Sequence, residues 1–308
     1  MLADFRGEVA ALGAAFIWAA ASIVYTGVGR QLSPLVLNLV KGLIAIALLF
    51  LTLVFLGKLL PSVSLMPVLL LLISGVIGIG IGDTAYFAAL NSAVIAGVMK
   101  TQNPARRALV LESLSPPLGA FLALVFLQEQ LAPLAWLGIG LTIAGVTWVV
   151  MERSPQPNGT LTHPPLRGII AGLVAAAGQA IGAVLSRAAL AGTDVDPLWS
   201  TLIRLLAGIL MLLIWFSAQK HPIQKLAPLR SRRLWGIVIM AAFASTYLGI
   251  WLQQIALKYA PTGIAQSLSA TSPLFVIPFA IATGEKVSLR AVFGAAIALA
   301  GVWLLFVR

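Results

Sequence analysis

Glu152-Arg153-Ser154-Pro155-Gln156-Pro157-Asn158-Gly159 interrupts, almost at its midpoint, a chain that is otherwise apolar. Its prolines, glycine and charges mark a linker. Before it, apolar runs read as spans at 9–29, 35–57, 66–90, 105–127 and 133–151; after it they read at 168–190, 197–218, 234–258, 261–283 and 288–307. Crossing about 30 Å of hydrocarbon takes about 20 apolar residues, and each run is close to that length. The expected fold is therefore an all-α membrane protein of ten transmembrane helices. It divides into a five-helix repeat over 1–151, a linker over 152–167 and a second five-helix repeat over 168–308.

Composition agrees. Of 308 residues, 60% are hydrophobic and 9% charged, where soluble domains carry about 25% charged residues. So few polar side chains cannot coat a water-soluble globule of this size. With no cysteine, there is no disulfide framework, thiolate metal site or cysteine nucleophile. The net charge of +11 comes from basic residues scattered singly through short loops, which suits lipid headgroups rather than nucleic acid. The run from Val9 to Gly29 is too long for a signal-peptide core, so it reads as the first permanent span.

The two halves repeat each other. Ala89-Leu90-Asn91 corresponds to Ala256-Leu257-Lys258, and Ser115-Pro116-Pro117-Leu118 to Thr271-Ser272-Pro273-Leu274. Twelve residues after each matched proline stands an acid, Glu129 and Glu285, and Gly138 and Gly145 match Gly294 and Gly301 at one constant offset. The first half carries 11 extra residues at about Ser92–Gln102, read as a helical extension or interfacial segment. Self-similarity on this scale indicates duplication. An odd number of spans per repeat makes the second copy enter from the opposite face, which gives inverted repeats. That architecture belongs to secondary transporters, whose binding site lies between the halves near the midplane.

These residues, with Ala108-Leu109-Val110-Leu111-Glu112-Ser113-Leu114, Phe126-Leu127-Gln128-Glu129, Leu268-Ser269-Ala270 and Gly284-Glu285-Lys286, resemble the drug/metabolite transporter superfamily. The likeness is to its ten-helix carriers built from two EamA-type repeats and covers nearly the whole chain. It implies a monomeric or weakly dimerising carrier of the plasma (inner) membrane that moves small organic metabolites, often amino acids outward, without a cofactor. The motifs identify the fold far better than the substrate.

Ionisable residues inside spans are the informative ones, because a charge there costs at least a few kcal/mol to desolvate. Lys41, Asp83 and Glu112 all fall roughly 10 Å from one common face. Lys41 is expected to pair with one of the acids, leaving the other desolvated and able to exchange a proton near neutral pH. A purely structural account is also open, in which Lys41 snorkels to the interface and the acids neutralise it. Arg204 aligns with Lys41, whereas Asp83 and Glu112 align with the apolar Ile250 and Leu268. Arg204 is therefore expected near Gln253, Gln254 or Gln266, free to hold a substrate carboxylate, or else paired with Asp194 or Asp196. Arg187 reads as an anchor at a span end.

Pro116, Pro117, Pro273 and Pro278 lie mid-span in the fourth and ninth spans, so those helices should kink, and matched interruptions point to a transport cavity. The polar and aromatic lining would come from Trp18, Ser22, Tyr25, Tyr86, Gln179, Tyr247, Trp251, Gln266, Ser267, Ser269 and Thr271, any of which packing alone also explains.

Other chemistry fails on context. Gly75, Gly78, Gly80 and Gly82 lie in an apolar helix with no preceding strand, which excludes a phosphate loop; Gly78 and Gly82, like Gly178 and Gly182, suit close helix packing. Gly80-Ile81-Gly82-Asp83 matches an intramembrane aspartyl protease motif, but the other aspartates, Asp4, Asp194 and Asp196, lie outside the spans. His163 and His221 sit in loops, so no metal site is expected.

Orientation is contested. The face with both termini has four basic residues, Arg6, Lys58, Lys258 and Arg308, against thirteen on the other. Positive-inside bias then puts the termini outside; the resemblance implies the reverse. The expected function is proton-coupled export of a small polar or amphipathic, amino-acid-like metabolite by alternating access. An uncoupled facilitator, an intramembrane enzyme and a non-transporting receptor are the alternatives.

Overall fold

The computed structural model describes residues 5–28, 32–58, 63–95, 111, 113–151, 166–219, 231–282 and 288–307. Ten helical stretches result: α1 (Arg6–Val28), α2 (Pro34–Phe55), α3 (65–95), α4 (Ser115–Phe126), α5 (Pro133–Met151), α6 (Leu166–Leu190), α7 (Pro197–Ser217), α8 (Arg232–Tyr259), α9 (Thr262–Ser269 then Ser272–Ala282) and α10 (Leu289–Phe306). Six of them are long and apolar enough to cross a membrane. Large side chains such as Phe55, Phe126, Met240, Phe293 and Trp303 point outward unpaired with any core, as a lipid-facing surface requires.

Local chemistry sets the boundaries, and it repeats. Ser33 caps α2 and Asp196 caps α7, each accepting a hydrogen bond from a backbone amide of the first turn and each followed by a proline at the first helical position. Such a proline loses nothing, because that N–H has no partner within the helix. Ser231 and Ser288 cap α8 and α10 in the same manner. The expected span limits differ mainly at α3, which continues to residue 95. The opening of the 11-residue insertion is thus a helical extension; residues 96–110, Glu112, residues 152–165 of the linker, both histidines and Glu285 lie outside the described residues.

The relation between the repeats can be read from four glycines. A Cβ on Gly138 would stand 3.0 Å from Gly301 O, and one on Gly301 2.7 Å from Gly138 O. A Cβ on Gly145 would stand 2.5 Å from Gly294 O, and one on Gly294 3.2 Å from Gly145 O. The contacts are crossed: the first glycine of α5 meets the second of α10, and the second meets the first. Helices that match in sequence yet touch in reverse order are antiparallel and exchanged by a two-fold axis perpendicular to both. For membrane-crossing helices that axis lies in the bilayer plane, so the repeats are inverted.

The same symmetry governs the centre. α6 lies on α3, with Gly178 against Gly82 and Gly182 against Gly78. Likewise α1 lies on α8, where Gly249 leaves room for the Trp18 indole. The first helix of each repeat thus packs on the third helix of the other. At these crossings both third helices widen into π-helical turns, Gly75–Asp83 in α3 and Ala242–Leu248 in α8. The register that sets Leu90 on Leu257 also sets Gly75 on Ala242, so the widened turns begin at equivalent residues. In each, a side chain from another helix takes a carbonyl inside the segment: Asn38 Nδ2 donates to Ile79 O (3.0 Å) and Trp18 Nε1 to Ser245 O (2.9 Å). Groups inserted into a helix's own hydrogen-bond ladder are a known cause of such distortions.

Candidate functional site

The polar centre is assembled where α3 crosses α6 and α7. Lys41 Nζ on α2 lies 3.2 Å from Asp83 Oδ2, at the end of the widened turn of α3. The Gln179 amide on α6 donates to Asp83 Oδ1 at 2.7 Å, so the acid is held by both repeats. The Lys41 ammonium also sits 4.6 Å over the Phe87 ring. Both charges are largely out of water, with side-chain exposures of 7% for Lys41 and 17% for Asp83.

Arg204, on α7, is buried. It lies against α3 at Gly75 and Gly78, ahead of Asp83 on the same helix. Its Nε and Nη1 are enclosed and have no hydrogen-bond partner among the described residues. Buried N–H groups left unpaired cost about 1–3 kcal/mol each, and nothing among the described residues offsets that cost for these two. The glycine run of α3 makes space for Arg204: a Cβ on Gly75 would stand 2.1 Å from Arg204 O, and one on Gly78 3.1 Å from Arg204 Nη2.

The expected neighbours of Arg204 have bonds of their own. Gln254 Oε1 accepts from Ser200 Oγ at 2.8 Å, one turn before Arg204 on α7, and its Nε2 has no partner among the described residues. Gln266 reaches Ser115 Oγ (3.5 Å) and donates to Gln179 O (3.3 Å), and Gln253 is only half-buried. Asp196 is engaged with Lys58 and the Leu198 amide. None of these groups bonds Arg204 Nε or Nη1, and α7 meets the glycines of α3 at this residue.

The proline expectation also changes form. The ninth span breaks outright instead of bending, and the described part of the fourth begins its helix afresh at Ser115. Residues 113 and 114 form a turn before α4 restarts at Ser115, and Ala270-Thr271 separate the two parts of α9. Pro116 falls in the first turn of α4, and Pro273 is the second residue of the restarted α9. Proline is tolerated at a helix start, so a break costs less than a kink there. Only Pro278 lies inside a helix; Pro117 is within the first turn of α4.

The remaining lining residues have varied surroundings. Trp18 is engaged with Ser245 O; Tyr247 OH lies 2.8 Å from Thr52 Oγ1 and its ring 6.0 Å from that of Trp251. Tyr86 meets Phe87 edge-on, and Thr271 donates to Leu268 O. Ser267 and Ser269 are buried with hydroxyls that have no partner among the described residues. The side chains of Ser22 and Tyr25 lie outside the described residues.

Two features had no reading in the sequence, the paired widened turns and an ionic cluster on the face bearing the termini. Arg187 is more than an anchor in that cluster: it binds Glu129 and the last carbonyls of α8. A lone acid and a lone arginine 58 positions apart carry no sequence signal for such a pair.

Comparison with known proteins follows the same outline. A protein of known crystal structure superposes on 98% of this chain and 96% of its own length, with a TM-score of 0.77 at 16% identity. At that identity the likeness concerns the fold alone. None of the curated proteins matches the chain. The profile of the EamA-like transporter family, however, matches residues 5–151 and 166–307, once for each half. With both inverted halves matched, the chain belongs to the EamA-like transporters of the drug/metabolite transporter superfamily: it is a multi-pass membrane protein of a family that moves small molecules and not an enzyme.

Proposed function

We propose that this protein exports a small polar or amphipathic, amino-acid-like metabolite from the plasma (inner) membrane by alternating access, coupled to protons. Its two repeats, 1–151 and 168–308, would rock about the buried site they share. The observation that carries this reading is a buried polar cluster built from both halves, Lys41 and Asp83 from one with Gln179 from the other, and the buried Arg204 of the second half against the same helix α3. Arg204 is the group to hold a substrate carboxylate, since a guanidinium binds carboxylates through paired hydrogen bonds. The fresh start of α4 and the break in α9 bring helix ends to this depth, as carriers of this kind require.

A second reading, an uncoupled facilitator, is favoured by one observation. Both oxygens of Asp83 are already engaged, one by Lys41 and one by Gln179, so neither is presented to an incoming proton. Flux of amino acids from proteoliposomes with and without a pH gradient separates the two. A gradient-dependent rate supports coupling; equal rates leave the facilitator.

A further inference from the structure

We propose that Glu129 and Arg187 are the gate on the face that carries the termini, and that their closure holds the carrier shut on that side. The proposal rests on the alternating-access reading above. Glu129 lies in the α4–α5 connection of the first repeat and Arg187 in the last turn of α6 in the second. Arg187 Nε donates to Glu129 Oε1, while its Nη1 donates to Leu257 O (2.9 Å) and Lys258 O (2.8 Å) at the end of α8. Glu129 Oε2 accepts from Thr262 N (2.8 Å), the first residue of α9. The cation thus sits on a helix end and the anion on a helix start, where each complements the local dipole.

One ion pair therefore fastens α4, α6, α8 and α9 together. Its side chains are only 15% and 14% exposed. The backbone is shaped for it: Gln128 has a φ of 56°, left-handed for a residue other than glycine, and this turn places Glu129 after the end of α4. A second tie stands beside the first. Lys58 Nζ lies 2.7 Å from Asp196 Oδ2, and Trp199 Nε1 donates to Lys58 O at 2.9 Å.

The pattern distinguishes a gate from a rivet. Glu129–Arg187, Glu129–Thr262, Lys58–Asp196 and Trp199–Lys58 each join one repeat to the other. Alternating access requires the repeats to part at one face at a time, so these are the bonds that must break when this face opens. Farther along α9 from Thr262 lie Ser267 and Ser269, whose buried hydroxyls have no partner among the described residues.

The absence of native cysteine allows a direct test without a known substrate. In the full chain carrying Ser269→Cys, a charged, membrane-impermeant methanethiosulfonate is applied to right-side-out and inverted vesicles. With the gate intact, reaction from the face of the termini is slow. Glu129→Gln raises that rate about tenfold or more and lowers the rate from the opposite face, because opening one side closes the other. Lys58→Gln shifts both rates the same way by a smaller factor and serves if the first variant fails to fold. Unchanged rates, or a rise from both faces, overturn the gate and leave a structural staple. A cysteine that neither face reaches in any variant overturns alternating access itself, and the gate with it.

Discussion

The side-chain amide of Gln179, on the first helix of the second repeat, donates to Asp83 Oδ1 across 2.7 Å, on the third helix of the first. Because Lys41 occupies the other oxygen, Asp83 ties the two repeats at their centre. Replacing its carboxylate removes the ion pair and weakens that tie.

Lys41→Met should destabilise the protein by about 3 kcal/mol or more, because it strands a buried carboxylate. Adding Asp83→Asn should recover most of that loss, since replacing both partners removes the uncompensated charge. Denaturant unfolding in detergent measures both. Equal losses in the single and double variants would show that the pair contributes nothing.

Arg204→Met should do the opposite of a usual core mutation. Its enclosed Nε and Nη1 have no partners among the described residues, so an apolar side chain of similar length should be neutral or stabilise by about 1 kcal/mol. Transport should nevertheless be lost. A higher melting temperature with no flux is the expected pairing, a familiar trade at functional sites; a strongly destabilised variant would make Arg204 structural.

The α5–α10 seam predicts a graded glycine series. A Cβ on Gly145 would stand 2.3 Å from Ala298 N, and one on Gly301 2.4 Å from Thr142 N. Alanine at either should cost about 1–3 kcal/mol through overpacking. Gly140, with nothing within 4 Å, should accept alanine at no cost, or gain up to about 1 kcal/mol from helix propensity. Thermal unfolding of the three variants orders them.

The Lys58–Asp196 tie should be indifferent to physiological pH. Burial pushes the Asp196 carboxyl up, but the hydrogen bond from Lys58, the Leu198 amide and the charges of Lys58 and Lys258 outweigh this and hold it below its ordinary 3.8. The hydrogen bond and charge of Asp196 hold Lys58 above its ordinary 10.5. A lowered acid contributes stability above its ordinary value and loses it as pH falls through the lowered one. A raised base contributes below its ordinary value and loses it as pH rises through the raised one. The tie is therefore constant between 3.8 and 10.5. Lys58→Gln should leave the shape of a pH–flux profile between about 5 and 9 unchanged; a changed slope would contradict this assignment.

Much of this architecture is visible in the bare sequence, for physical reasons. Span length follows from bilayer thickness, and matched residues such as Pro117 and Pro273 persist because both copies meet the same helix-start geometry. Depth along a helix is also legible, which is why Lys41 and Asp83 could be set in one layer. Azimuth is not: no periodicity shows that α7 sets Arg204 against Gly75 and Gly78 of α3. Nor can it show Glu129 meeting Arg187, because a contact between loop and helix end depends on how the two repeats dock. The fresh start of α4 at Ser115 and the break at 270–271 needed the structure too, since a mid-span proline is compatible with a bend or a fresh helix start.

The widened turn of α3 makes the site depend on chain length as well as on side chains. Each residue of a regular helix rotates the chain by about 100°, and a π-helical turn stores an additional residue without lengthening the helix in proportion. Ser74, just before this turn, is anchored to Gly182 O (2.6 Å) and Ser186 Oγ (2.9 Å), and Asp83 closes it. Excising one residue between them would let Ser74 keep its anchors while swinging Asp83 about 100° around the axis, away from Lys41 and Gln179 together. Every side chain of the charge cluster would still be encoded, and the cluster would be gone.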